Sequence, residues 1–298
     1  MTTTAFTQDD LMAELTGSSG TLGRLAWFTV TDESVDQKQW LATIIQAGLA
    51  PYGLPEGIRP STAYLRGLRA MQHQAGGSTL LRRVAREKGR TTHHWIAESV
   101  SGGRVHFQVL AAIQRDTKTD ALQVDYLGDM TGDQSRALGD LSSLVETAAR
   151  TYTPGDRRQQ ITRWIRSAGS LKMPHAGPVQ FIPAEATGVL DALDRAQAGL
   201  GLTLWSMPLS RSSDVVETLT QGLDAEVSQK TLALLKAIRT TKEAGKTPTA
   251  AQQSKLLDQL HDLDSRVQRY AGLFDTQLDN LTDQLALARQ QVRQVLAE

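Results

Sequence analysis

The C-terminal part of the chain carries an apolar repeat that requires a long helix with a helical partner. From residue 256 to residue 295, apolar residues recur every three or four positions, with one additional four-residue step near Phe274. Such spacing forms a narrow stripe along an α-helix, and the additional step is typical of a stutter in a coiled coil. Because no proline follows Pro248, the pattern predicts one helix on the order of 70 Å long.

A stripe this narrow needs a partner helix, and the sequence allows two sources for it. Residues 213–243 predict a preceding helix that is capped at Gly245, so that the next helix begins at Thr247–Pro248 and folds back as a hairpin. A second copy of the chain is the other source. In that case the self-association surface consists of Leu256, Leu260, Leu263, Val267, Tyr270, Phe274, Leu278, Leu281, Leu285 and Val292.

Residues 21–130 predict an antiparallel sheet with helices packed on it. Segments at 22–33, 79–86, 91–100, 104–115 and 120–128 are rich in β-branched residues or alternate between apolar and polar residues, and turn residues separate most of them. Helical spacing occurs at 35–49 and 61–72. We therefore expect a domain with about five strands and two helices.

Residues 131–211 predict a smaller α/β unit, with helices near 134–151, 156–168 and 184–198, a short hairpin and a strand. The helix followed by the hairpin is similar to the recognition helix and wing of winged-helix DNA-binding proteins, which implies DNA contacts from Arg157, Arg158 and Arg163. With 1–20 as a flexible N-terminal segment and 212–298 as a helical hairpin or coiled coil, the predicted fold class is α+β.

The strongest local indication of function is a basic segment between Arg59 and Arg90, which contains eight Arg or Lys residues and one acid. Arg66 and Arg69 share a helix face, and the even spacing of Arg82 and Arg86 places them on one strand face. The segment predicts a phosphate-binding surface formed by Arg66, Arg69, Arg82, Arg83, Arg86, Lys88 and Arg90. Alternatively, these arginines pair with Asp116, Asp120, Asp125 and Asp129 on neighbouring strands.

The common catalytic signatures are missing from the sequence. The absence of cysteine excludes thiolate nucleophiles and Cys-based zinc sites. His93 and His94 are adjacent, so on a strand they point to opposite faces and cannot bind one metal ion together. The glycine-rich segment at 17–24 lacks the Lys-Ser/Thr end of a phosphate loop and precedes a strand. We therefore predict no catalytic residue, no metal site and no cofactor.

The formal net charge is zero, so any attraction to nucleic acid must come from local patches. The acidic N-terminus lacks signal-peptide character and the uncharged stretches are short, which favours a cytoplasmic protein without membrane contacts. Our leading hypothesis is a non-enzymatic protein that self-associates and binds DNA or RNA through arginine patches, strengthened by avidity. The alternatives are an adaptor whose coiled coil binds a protein partner, and an enzyme of a type without a recognisable motif.

Overall fold

A computed structural model describes residues 21–87, 89–174, 176–243 and 249–297 of the chain. Three features of the sequence analysis lie outside these residues. They are the N-terminal segment 1–20, Lys88 of the basic segment, and the connection from Gly245 to Pro248 between the two predicted C-terminal helices.

The fold is mixed α+β, as predicted, with antiparallel sheets and a helical C-terminal region. The strands are β1 (Thr21–Val30), β2 (Val35–Asp36), β3 (Thr79–Glu87), β4 (Arg90–Ser101), β5 (Arg104–Asp116), β6 (Leu122–Tyr126), β7 (Thr151–Tyr152), β8 (Leu171–Lys172), β9 (Gln180–Pro183) and β10 (Leu202–Ser210). The α-helices are α1 (Gln37–Gln46), α2 (Pro60–Ala75), α3 (Gly132–Gly139), α4 (Leu141–Arg150), α5 (Pro154–Ser167), α6 (Gly188–Arg195), α7 (Gln197–Leu200), α8 (Ser213–Glu243), α9 (Ala250–Phe274) and α10 (Asp279–Ala297). No helix in the described ranges is both long and apolar enough to cross a membrane.

The chain forms two compact units, and the first, here called the meander unit, comprises residues 32–43 and 54–157. Its main sheet has the strand order β3-β4-β5-β6, with antiparallel neighbours throughout. These are the four strands predicted between residues 79 and 128, with bounds that agree within a few residues. The unit's core lies between this sheet and α2, α3 and α4, and is formed by Tyr64, Leu68, Met71, Ala75, Trp95, Leu110, Ala111, Ile113, Ala137, Leu138 and Leu141.

The second unit, here called the bundle unit, comprises residues 21–31, 44–53 and 158–297. Its sheet has the order β10-β1-β9-β8, so β1 is a central strand there and does not join the meander sheet. The expected five-stranded sheet is therefore four-stranded, because both edges of β1 are occupied by β9 and β10. Trp27 and Trp205 lie directly opposite each other in the β1–β10 pair, with ring centroids 6.3 Å apart and ring planes 11° apart, the kind of cross-strand aromatic pair that stabilises a sheet.

The helical part of the bundle unit contains α8, α9 and α10, each of which contacts the other two. The structure differs here from the predicted uninterrupted helix, because α9 ends at Phe274 and the chain turns before α10 begins. Asp275 adopts the left-handed conformation (φ 50°, ψ 46°), and the N–H of Thr276 donates to the carbonyl of Ala271 over 3.2 Å, which caps the helix end. The break coincides with the additional four-residue step in the apolar repeat.

Candidate nucleic-acid interface

The exposed arginines of the meander sheet lie along one edge of it. β3 is an edge strand, since β4 is its sole neighbour in the strand order. It carries Arg82, Arg83 and Arg86, and β4 begins at Arg90; all four side chains are exposed. We call these four residues the basic edge. Lys88, which lies between them in the sequence, is outside the described residues.

A β-bulge decides which way the arginines of the basic edge point. The register of the β3–β4 pair shifts between Arg83 and Ala85. Arg82 lies opposite His94, whereas Arg83 lies opposite His93 and Arg86 lies opposite Thr91. Residues directly opposite each other share a sheet face, and alternate residues of a strand do too. Arg83 and Arg86 therefore share the helix-covered face and Arg82 lies on the other, so the prediction that Arg82 and Arg86 share a face is wrong.

The acids that could have neutralised the basic edge are mostly bound elsewhere. The Asp116 carboxylate accepts from the N–H groups of Lys118 and Thr119 over 2.7 and 2.9 Å. These bonds hold the pKa of Asp116 below its usual value, and the bond from Thr119 has the larger effect. Asp120 accepts from Arg115 Nε over 3.0 Å, and Asp125 accepts from two side-chain amides, those of Gln114 and Gln123.

The arginines of the basic edge form no ion pair with any carboxylate in the described part of the chain. The exposed guanidiniums at Arg82, Arg83 and Arg86 thus keep their charge available for a ligand. Arg90 contributes less free charge, because Glu87 and Asp116 are its cross-strand neighbours.

A buried polar contact between Tyr64 and His93 holds β4, the strand that pairs with the basic edge, against α2. His93 is 6% exposed, and its Nδ1 lies 3.1 Å from the Tyr64 hydroxyl, which donates to the carbonyl of Ile113 over 3.3 Å. A phenol has one proton, so both contacts are satisfied when Nδ1 of His93 carries its proton and donates to the Tyr64 oxygen. Burial, and then the charge of Arg83, lower the pKa of His93. The imidazole is therefore neutral at physiological pH.

The structure places the other predicted phosphate-binding arginines differently. Arg66 is ion-paired with Asp156 over 2.7 Å, each side chain being 22% exposed, and Arg69 is exposed further along α2. Burial alone would raise the pKa of Asp156, but the bond from Arg66 and those from Thr153 lower it further than burial raises it. The Arg66 charge is thereby neutralised.

On α5, Arg157 is fully buried and donates to the carbonyl of Glu33, so it cannot reach a phosphate. Arg158 and Arg163 are exposed and belong to the bundle unit. Trp164 and Ile165 are buried. The hairpin that follows α5 is not a free wing, because its second strand, β9, pairs with β1.

The predicted self-association residues line the interior of the bundle. Leu256 is half-buried and the others are buried, packed with α8 and with Phe181 and Leu171 of the bundle unit's sheet. The chain therefore covers most of this seam itself, and Leu256 and Leu263 also line a groove between α8 and α9. The buried residues are Leu260, Leu263, Val267, Tyr270, Phe274, Leu278, Leu281, Leu285 and Val292.

A groove with a volume of about 720 Å³ lies between α8 and α9, and the apolar pattern of the sequence does not predict it. Leu256 and Leu263 form part of its floor and Lys255, Gln259 and Asp262 part of its rim. The rim residues follow each other at spacings of four and three along α9, parallel to the apolar seam. Their polar character concealed the stripe, because a search for apolar periodicity does not detect it.

Within the described ranges, no group of three or more His, Asp or Glu side chains is arranged to hold a metal ion. Over residues 21–298 the sequence matches the model of a family described as of unknown function (DUF6744), and the chain belongs to that family. No curated protein and no solved structure matches it.

Proposed function

We propose that this member of the DUF6744 family is a cytoplasmic, non-enzymatic protein that binds the phosphate backbone of nucleic acid through its basic edge. The observation that carries the proposal is the set of exposed guanidiniums at Arg82, Arg83 and Arg86, which form no ion pair with a described residue, while Asp116, Asp120 and Asp125 accept hydrogen bonds from other groups. Guanidinium groups that lack a carboxylate partner bind phosphate oxygens through charge-assisted hydrogen bonds.

The direction of the side chains indicates the mode of binding. Because the bulge sends Arg82 to one face and Arg83 and Arg86 to the other, the charges flank the sheet edge from two sides. This arrangement suits contacts with phosphates along a backbone more than contacts with base edges in a groove. We therefore expect binding that tolerates sequence changes in the nucleic acid and weakens steeply with salt.

The test is fluorescence polarisation with labelled mixed-sequence DNA and RNA duplexes over a range of salt concentrations. The triple variant Arg82→Ala/Arg83→Ala/Arg86→Ala should bind both duplexes weakly. Its slope of log K against log salt should be smaller by about three, because each lost phosphate contact removes about 0.9.

A matched control removes the same charge from paired arginines. Arg59, Arg136 and Arg150 are exposed and each is paired with an acid three or four residues away, so replacing all three by alanine should leave binding close to that of the wild type. Unchanged binding in the edge variant, or an equal loss in the control variant, would overturn the proposal.

A further inference from the structure

The groove between α8 and α9 lies on the same face of this helix pair that the segment around β8 covers near Glu226 and Arg266. Glu226 and Arg266 pair over 3.1 Å, and the Arg266 guanidinium also donates to the carbonyl of Ser170. Pro174 lies against Gly222 at the same end. There the segment around β8 lies over the two helices.

Beyond this point no residue in the described part of the chain lies over the same helical stripes, which line the groove. On α8, the stripe that includes Glu226 continues through Lys230, Ala233 and Ala237. On α9, the stripe that includes Arg266 continues towards the N-terminus through Asp262, Gln259 and Lys255. The spacings are four, three and four residues on both helices. All six continuing residues line the groove. The small side chains of Ala233 and Ala237 leave room for a helix to approach closely.

The charges on the groove's rim have a self-complementary order. Lys255 and Asp262 are both exposed, lie two turns apart on α9, and form no ion pair with a described residue. A helix that packs antiparallel to α9, related to it by a two-fold axis near Asp258 and Gln259, would present the same two residues in reverse order. Lys255 would then face Asp262 of the second copy, and the reverse pair would form by symmetry.

We propose that the α8–α9 groove binds the same groove of a second copy of this chain, so that the two α8–α9 pairs form an antiparallel four-helix contact. The apolar floor at Leu234, Ile238, Leu256 and Leu263 supplies the buried area, and the two Lys255–Asp262 pairs set the register. The proposal does not rest on nucleic-acid binding. It would place two basic edges in one particle and so raise avidity for a polyanion.

The experiment is sedimentation equilibrium on the full chain with charge-reversal variants. Lys255→Glu alone creates two Glu–Asp repulsions in the dimer, and Asp262→Lys alone creates two Lys–Lys repulsions, so each should weaken dimerisation by about tenfold or more. Mixing the two variants should restore the dimer, because every pair in the mixed dimer joins opposite charges. The double variant Lys255→Glu/Asp262→Lys should dimerise like the wild type.

The matched control is Lys236→Glu, since Lys236 is exposed on α8 and does not line the groove; it should leave the dimer unchanged. Restoration by mixing also shows that both single variants are folded. The proposal is overturned if the wild-type chain is monomeric at all soluble concentrations, which would leave the groove to a different helix. It is equally overturned if single reversals have no effect, or if mixing fails to restore the dimer.

Discussion

Arg83 lies directly opposite His93 across the β3–β4 pair, on the sheet face that α2 covers. A residue of the basic edge thus lies beside a buried histidine whose Nδ1 is 3.1 Å from the Tyr64 hydroxyl and whose pKa is lowered by burial and by this positive neighbour. The contact links the surface proposed for phosphate binding to the core that supports it.

The depressed pKa of His93 makes the meander unit sensitive to acid. Below its ordinary value of 6.5, the unfolded chain binds a proton at this position that the folded chain does not bind. The free energy of unfolding therefore decreases as the pH falls through and below about 6.5. Urea unfolding between about pH 8 and pH 5 should show this loss, and His93→Asn should reduce its slope with pH.

Arg83→Gln separates the two causes of the shift. Removing the neighbouring charge should raise the pKa of His93 towards its ordinary value and so reduce the loss of stability in acid. Arg82→Gln is the control. This substitution removes the same charge, but Arg82 lies opposite His94 on the other face of the sheet. Equal effects of the two variants on acid sensitivity would contradict the assignment of Arg83 as the charge that acts on His93.

The burial of Arg157 favours a structural role for this residue over phosphate binding. Its side chain is fully buried and donates to the Glu33 carbonyl, so Arg157→Ala leaves a cavity and an unsatisfied acceptor and should lower the free energy of unfolding by about 2–4 kcal/mol. The neighbouring Arg158 is exposed, and Arg158→Ala should change stability by less than about 0.5 kcal/mol. If Arg157→Ala kept wild-type stability in urea but lost duplex binding, Arg157 would belong to the interface.

The local elements of the fold could be predicted from the sequence, but the strand partners could not. Alternation over residues 79–128 predicts four strands because each turn brings the next strand back beside the last. The segment with Trp27 has the same strand character, yet its partner Trp205 lies in a strand that begins at Leu202. An alternating pattern indicates which face is buried and carries no information on which distant strand will pair with it.

The candidate site was predicted in part for a similar reason. The density of arginines between residues 82 and 90 predicts a basic surface, and four of these arginines are exposed there. Charge density does not reveal the bulge that separates Arg82 from Arg86, because a single extra residue inverts the facing of all that follow. Charge density also does not reveal burial or ion pairing. The prediction therefore included Arg157, which is buried, and Arg66, which is paired with Asp156.

Asp275 determines where the apolar repeat turns back on itself. Its backbone is left-handed (φ 50°, ψ 46°), a conformation that is strained for residues with a Cβ atom and unstrained for glycine. Asp275→Gly should therefore raise the free energy of unfolding by about 0.5–1 kcal/mol. Ala286→Gly is the control, since Ala286 is exposed within α10 and glycine inside a helix costs about 1 kcal/mol. Opposite signs in urea unfolding would support the turn, whereas equal losses would indicate that the helix continues through Asp275.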